Sequence, residues 1–251
     1  TGNFSGQAQK DYQALSAAAK DWGAQSIFSS LEAAQAQEVL ASRGMDTNQI
    51  LATGPGIMAL AAASQIELTD AADAAGSALQ QFNGTGLTSA HVADVFAQAA
   101  ADSALQGMDL AEALKYSGLQ ANLNGVSFEE TAAALAVMSD TGMAAESAGR
   151  YLGMAFSKMA KPTDAARELM DELGISFYDS EGKMKPLAEI TSMLQDRFAG
   201  LTDEQRQHAL TTMFGQEAGR GMNALLQDTD GKLVRLTDSF TNSEGAAQKM
   251  A

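Results

Sequence analysis

The sequence predicts a mainly α fold, a compact bundle of many short Ala-rich helices with one small β-hairpin-like insert near residues 175–185. Three observations support this prediction. Residues that cap helices precede segments whose apolar residues recur at helical spacing. Gly, Pro and turn residues interrupt these segments at short intervals, so no single long helix can form. β-Branched and aromatic residues cluster around a turn in one place, the insert.

Capping residues mark most of the predicted helix starts. Three pairs have the spacing of a capping box, in which two side chains satisfy backbone N–H groups reciprocally: Ser29 with Glu32, Ser127 with Glu130, and Thr202 with Gln205. Further starts are predicted at Pro55 and after Thr69, Thr88 and Thr163. These signals predict helices over 8–22, 31–44, 55–64, 70–82, 89–101, 109–120, 128–142, 144–160, 164–173, 187–198, 203–213, 216–227 and 232–240.

The insert has its own pattern. Gly174 is placed to end the preceding helix, because glycine adopts the left-handed conformation without steric cost. Residues 175–178 have strand-like composition, 179–182 are turn residues, and 183–185 are predicted to be the return strand. Pro186 fits the first position of the next helix.

The domain organisation has one candidate boundary, at Lys161-Pro162-Thr163. It separates an Ala-rich multi-helix region, residues 1–160, from a more charged helical region with the insert, residues 161–251. The alternative is one continuous domain, since the length fits either arrangement.

Composition excludes several classes of function. The chain has no Cys, so disulfides and thiolate metal sites are ruled out. The formal net charge of −15 argues against direct nucleic-acid binding, which needs Lys and Arg to replace phosphate counterions. The least polar window, 51–66, is shorter than the roughly 20 residues that span a bilayer. No cleavable signal is expected at the first residues.

The titratable residues form no recognised catalytic pattern. His91 and His208 lie outside any HExxH motif, and no GxSxG elbow presents a serine. We interpret both histidines as solvated side chains. Asp179 and Glu181 could form a carboxylate pair or cation site, but turn capping is the better interpretation.

Two further motifs also fail as sites. Asp228 and Asp230 are similar to part of a calcium loop, but Leu226 and Thr237 stand where ligands are required. Gly215, Gly219 and Gly221 fit neither nucleotide-binding glycine motif, and the 13 Met residues are interpreted as core filling rather than an adaptable partner surface. The sequence therefore predicts no catalytic residue, no cofactor site and no metal site.

Blocks of sequence from about residue 10 to the end resemble, in order, the core region of phage tail tape measure proteins. They are Trp22-Gly23 to Ser29 with Glu32-Ala33-Ala34 and Gly44-Met45, then Gly125-Val126-Ser127 with 129–135, 160–163, 172–190, 201–220 and 243–251. Members of that family are usually much longer. The chain is therefore expected to be a fragment, an unusually short member or the ordered part of a processed product.

The resemblance implies a non-enzymatic structural and assembly protein of a phage or phage-derived tail. Such a protein lies in the lumen of the tail tube, helps set tail length and leaves the tube at infection. The implied partners are other copies in a homo-oligomer, tail tube and tail-tip proteins, and tail assembly chaperones. The resemblance places the protein in the host cytoplasm during assembly, with host-membrane contact expected only during ejection.

A ruler should be an extended helix rising about 1.5 Å per residue, which the frequent interruptions prevent. We therefore expect this region to anchor or organise assembly at a tail end, while length is measured elsewhere. Two alternatives remain from the sequence. One is a cytoplasmic helical binding module or assembly chaperone, and the other is a cell-wall hydrolase.

Overall fold

Helix-capping side chains divide the chain into short helices. A computed structural model describes residues 6–105 and 108–250; within these ranges it has thirteen helices and no strand. The helices are α1 (Gly6–Gln25), α2 (Ser30–Ser42), α3 (Thr47–Ser64), α4 (Leu68–Gln81), α5 (Ser89–Asp102), α6 (Asp109–Leu123), α7 (Phe128–Asp140), α8 (Ala145–Ala160), α9 (Asp164–Leu173), α10 (Leu187–Phe198), α11 (Asp203–Leu226), α12 (Lys232–Thr241) and α13 (Ala246–Met250).

Two of the three predicted capping boxes are confirmed. The Glu32 carboxylate accepts from the Ser29 N–H at 2.7 Å, and the Ser29 hydroxyl accepts from the Glu32 N–H at 3.2 Å. Thr202 and Gln205 make the same pair of bonds at 2.9 and 3.3 Å. The third box is half formed, since Ser127 caps α7 but the Glu130 carboxylate bonds elsewhere.

Two predicted helix starts are wrong. The helix expected to open at Pro55 begins at Thr47, because Asp46 and Gln49 form an unpredicted capping box. Pro55 lies inside α3. The helix expected after Thr69 begins at Leu68, and Thr69 lies in its first turn. Capping by Asp46 and Gln49 outweighs the Pro signal in α3, whereas α4 begins without a side-chain cap.

The predicted β-hairpin-like insert is not supported. Gly174 ends α9 in the left-handed conformation as expected. Beyond it, however, Tyr178 and Met184 form only an isolated antiparallel bridge, and no strand is present in the described residues. The reason is the short return segment, because only residues 183–185 separate the turn, which the Asp179 carboxylate closes, from Pro186. Pro186, which lacks an N–H, then leads directly into α10.

Unit 1 consists of residues 6–98 and 243–250, so it is discontinuous in sequence. It contains α1 to α4, most of α5, and α13, which packs on α3. Small residues let the helices approach closely. A Cβ on Gly54 of α3 would lie 1.9 Å from the ring of Trp22 in α1. A Cβ on Gly56 would lie 2.5 Å from the Ser89 carbonyl carbon.

Unit 2 consists of residues 99–105 and 108–242. Its central helix is α7, in which residues 131–138 are all buried, and which contacts α6, α8, α11 and α12. A helix buried on every face in this way forms the core of a domain. The predicted boundary between residues 160 and 161 falls within unit 2 and remains a prediction.

The closest helix crossing in unit 2 is between α6 and α8. A Cβ on Gly149 would lie 2.1 Å from the carbonyl oxygen of Ala113, and one on Gly153 would lie 2.5 Å from that of Tyr116. Real Cβ atoms cannot approach this closely. The two backbones therefore touch directly, and only glycine is tolerated at either position.

Helix α11 turns a corner at Gly215. This residue has φ 79° and ψ 177°, and Gly219 lies against the Leu210 carbonyl. Along a straight helix, Leu210 and Gly219 would be about 13 Å apart. The separate helices predicted on either side of Gly215 are therefore present as two arms of α11.

No helix in the described part of the chain is both long enough and apolar enough to cross a membrane.

Substituting Gly149 with Ala should destabilise unit 2 by about 1–3 kcal/mol, because the new methyl group must push α6 and α8 apart. The matched control is Gly200→Ala, where the methyl group meets open space, and this variant should stay within about 0.5 kcal/mol of the parent. Urea unfolding followed by far-UV circular dichroism measures both. Equal stability of the two variants would contradict the proposed close contact.

Candidate functional site

The two histidines occupy ordinary helical positions. His91 lies in the first turn of α5, where its backbone N–H donates to the Thr88 hydroxyl at 3.2 Å. His208 is exposed on the first arm of α11. Among the described residues, no group of three or more His, Asp or Glu side chains is placed to hold a metal ion.

The Asp179 carboxylate closes the turn of the insert. It accepts from the Lys183 N–H at 2.9 Å and the Glu181 N–H at 2.8 Å. These bonds hold the pKa of Asp179 below its ordinary value, and the bond from the Lys183 N–H has the largest effect. The Glu181 carboxylate instead pairs with the Lys183 ammonium at 2.9 Å. The Asp179 carboxylate therefore caps the turn, whereas the Glu181 carboxylate pairs with a side chain within it.

The Asp228 carboxylate caps α12. It accepts from the N–H groups of Lys232 at 2.8 Å and Leu233 at 2.7 Å. The backbone carbonyl of Asp230 accepts from the Arg235 guanidinium. The Asp228 carboxylate thus serves to start a helix, and Asp230 contributes its backbone carbonyl.

Two of the glycines that were compared with nucleotide-binding motifs serve packing. Gly219 lies against the Leu210 carbonyl, and a Cβ on Gly221 would lie 2.8 Å from the Cβ of Tyr151 in α8. Several methionines fill the core of unit 2, namely Met138, Met159, Met213 and Met222. Met250, in contrast, is exposed on α13.

A cavity of about 600 Å³ lies in unit 1, between the C-terminal ends of α2 and α4 and the first turns of α3 and α5. Apolar Met45 and Phe82 and polar Gln49 and Thr88 line it. Its one charged lining residue is Arg43, whose guanidinium bonds the Asp73 carboxylate. The described residues that line the cavity include no His, Asp or Glu.

Sequence reasoning missed a buried carboxylate in α5. Asp94 is only 7% exposed, and its two oxygens accept from the N–H groups of Gly245 and Ala247, each at 2.9 Å. It thereby fixes α13 in unit 1. The signal in the sequence is an acid within an apolar run, between buried Ala93 and Val95, although its distant partner could not be read there.

A second missed carboxylate belongs to Glu130 in the first turn of α7. It accepts from the N–H of Leu187, the first residue of α10, and so connects two helix N-termini. Burial raises the pKa of Glu130 above its ordinary 4.5, and the bond from Leu187 only partly offsets this. The neutral acid is therefore favoured here more than in water.

An apolar stripe lies on the exposed face of α6. It consists of Tyr116, Leu119 and Leu123, which are 45%, 54% and 69% exposed. Their spacing of three and four residues places them on one side of the helix, opposite the face that carries buried Ala113 and Ser117. We call these three residues the α6 stripe. Spacing alone cannot distinguish such a stripe from a core face.

A family model described as phage-related minor tail protein matches residues 16–215. The chain belongs to this phage tail family. The match covers α2 to α10 completely, together with half of α1 and the first arm of α11. It therefore includes the α6–α8 crossing and Glu130.

Two curated relatives support the assignment of the chain to this family. It is 45% identical over 231 residues to the tape measure protein of Pneumococcus phage Dp-1, covering 92% of the chain and 20% of the relative. It is 29% identical over 240 residues to the probable tape measure protein of Escherichia phage P2, covering 94% of the chain and 29% of the relative. The chain thus spans less than a third of either relative. No solved structure matches it.

The unfolding free energy of the Glu130→Gln variant should increase relative to that of the parent as pH rises from 4.5 to the raised pKa of Glu130. The folded parent binds its proton more tightly than the unfolded chain, so its unfolding free energy falls between 4.5 and the raised pKa. Gln lacks this proton equilibrium. Urea unfolding followed by circular dichroism at about pH 3 to 8 measures the difference.

Glu32→Gln is the control of opposite sign. Bonds from the Ser29 side chain and backbone lower the pKa of Glu32, so its contribution to stability is lost as pH falls through that lowered pKa. Glu32→Gln should therefore become less stable relative to the parent as pH rises towards 4.5. A Glu130→Gln difference that is independent of pH would contradict burial of the carboxylate.

Replacing Asp94 with Ala should expose residues 243–250 to solvent exchange, because two buried N–H groups lose their acceptor at a cost of about 1–3 kcal/mol each. Hydrogen exchange of the 243–250 peptide, followed by mass spectrometry, measures this release. Asp94→Asn, which keeps one acceptor, should be intermediate, and exposed Asp70→Ala should match the parent. Unchanged exchange in Asp94→Ala would show that other contacts hold α13.

Proposed function

We propose that this chain is a region of a tape measure protein and serves tail assembly as a compactly folded element. On this proposal the protein lies in the lumen of the tail tube, helps set tail length and leaves the tube at infection. The observation that carries the proposal is the 45% identity to a tape measure protein over 92% of the chain.

Helix lengths support a folded element over a ruler segment. The longest uninterrupted helix among the described residues is α1, with 20 residues, or about 30 Å. As one continuous helix, the whole chain would reach about 375 Å. Gly215, the capping boxes and the turn at Asp179 all interrupt such a rod. We therefore assign length measurement to other parts of the protein.

The proposed partners are other copies of the chain, tail tube proteins, tail-tip proteins and tail assembly chaperones. A net charge of −15 favours partner surfaces that carry basic residues. The same charge disfavours direct binding to nucleic acid, so we propose none. Assembly would take place in the host cytoplasm, and any contact with the host membrane would accompany ejection.

We also propose that the region has no enzymatic activity. Both curated relatives are named as tape measure proteins, which favours the tail role over a cytoplasmic binding module or chaperone. A cell-wall hydrolase would need an acid–base pair, and the cavity lining provides none. Incubating the purified chain with peptidoglycan tests the remaining alternative, and release of soluble fragments would contradict the proposal.

The tail role can be tested in phage Dp-1, whose tape measure protein is about five times longer than the matched region. The equivalent of residues 99–242 should be replaced with a short flexible linker. We expect few or no tails, and any tails should keep their normal length, because assembly depends on this region but measurement does not. Electron microscopy gives both the number and the length of tails.

The control is a deletion of equal size elsewhere in the same protein. If that part is the ruler, its loss should shorten tails by roughly 210 Å, at 1.5 Å for each of about 140 residues. Normal numbers of tails shortened by this amount after loss of 99–242 would instead make the region part of the ruler.

A further inference from the structure

The α6 stripe has the spacing by which a helix docks on another helical surface, with anchors at positions i, i+3 and i+7. Direct contact of the Ala113 and Tyr116 carbonyls with Gly149 and Gly153 holds the α6 backbone rigidly against α8. The stripe is therefore presented on a fixed support. Three adjacent large apolar side chains at this level of exposure are typical of an interaction surface.

We propose that the α6 stripe pairs with the α6 stripe of a second copy of the chain, in antiparallel orientation about a twofold axis. The axis lies near Leu119. Tyr116 of each copy packs on Leu123 of the other, and the two Leu119 side chains meet at the centre. A twofold contact uses the same patch on both copies, so no second surface is required.

Charge selects the antiparallel orientation. The last turn of α6 carries no basic residue, so its negative dipole end is not compensated within the helix. Antiparallel pairing places Lys115 of one copy beside that end, near Asn124 of the other copy, while Glu112 lies one turn further out, beyond Leu123, the last residue of the other α6. Parallel pairing would place Lys115 opposite Lys115 and Glu112 opposite Glu112, which is repulsive.

The stripe is small, which determines how the pair behaves. Its three side chains offer only roughly a few hundred Å² per copy, whereas specific stable complexes bury about 1,200–2,000 Å² in total. The pair should therefore be weak between free chains and become significant when several copies are held side by side. This setting, several copies in one tail, rests on the proposed function.

Cysteine cross-linking tests the contact directly, because the chain has no Cys of its own. Purified Leu119→Cys protein at high concentration should form disulfide-linked dimers under mild oxidation. The matched control is Val234→Cys on α12, which is similarly exposed at 48% but lies outside the stripe. Experiments at about 0.15 M salt limit the repulsion between acidic copies to a range of about 8 Å.

Orientation is tested by mixing two variants, one with an affinity tag. Tyr116→Cys with Leu123→Cys should cross-link to each other several-fold more than either does to itself. Adding Lys115→Glu to Leu119→Cys should reduce dimers several-fold. Lys10→Glu on α1 changes the net charge equally and should have a smaller effect.

Dimer yields no higher than those of Val234→Cys would overturn the proposal, as would self-linked Tyr116→Cys without the mixed product. Circular dichroism of each variant establishes that it is folded. The result is independent of tail assembly in phage Dp-1, so loss of this contact and failure of the tail role can be told apart.

Discussion

Direct contact between helix backbones, made where glycine replaces a side chain, is the constraint on which unit 2 depends. Aromatic residues make up only 6% of the chain, so large side chains alone cannot fill its core. Ala and Gly compensate by bringing helices close enough for backbone atoms to pack. The α6–α8 crossing is the clearest example, and α7 is buried beside it on every face. Cores of this kind tolerate little change in volume at the contact.

Short helices create a second requirement, because each helix start leaves N–H groups without partners. Acidic side chains satisfy many of them, and several act across long stretches of sequence. Glu130 reaches the start of α10, and Asp94 reaches the start of α13. Part of the acidic composition therefore serves the fold. Many of these carboxylates therefore bond backbone N–H groups, and among the described residues no three are grouped to hold a metal ion.

Local signals were predictable from the sequence and distant partners were not. Ser29 with Glu32 and Thr202 with Gln205 could be read correctly, because the groups involved lie three residues apart. Glu130 had the same spacing, yet its carboxylate bonds Leu187, far along the chain. The insert misled because β-branched composition indicates a strand only where a partner strand is long enough to form a ladder.

A buried carboxylate and an exposed apolar stripe were also unpredictable, because both depend on distant parts of the chain. Asp94 and the α6 stripe became recognisable only once tertiary packing showed which faces are covered. Spacing places Tyr116, Leu119 and Leu123 on one side of a helix but does not reveal whether that side is inside or outside. The resemblance of sequence blocks to a tail family, in contrast, did not depend on knowing the fold, and the family match confirms it.

The discontinuity of unit 1 determines how the chain responds to mechanical load. Residues 6 and 250 both belong to unit 1, while residues 99–242 leave it and return to it. Tension applied at those two positions is therefore carried by the contacts that hold α13 in unit 1, including the two hydrogen bonds that Asp94 accepts. Residues 99–242 bear load only after residues 243–250 have detached from the rest of unit 1. Unit 2 is thus shielded from such tension as long as a five-residue helix keeps its contacts in unit 1.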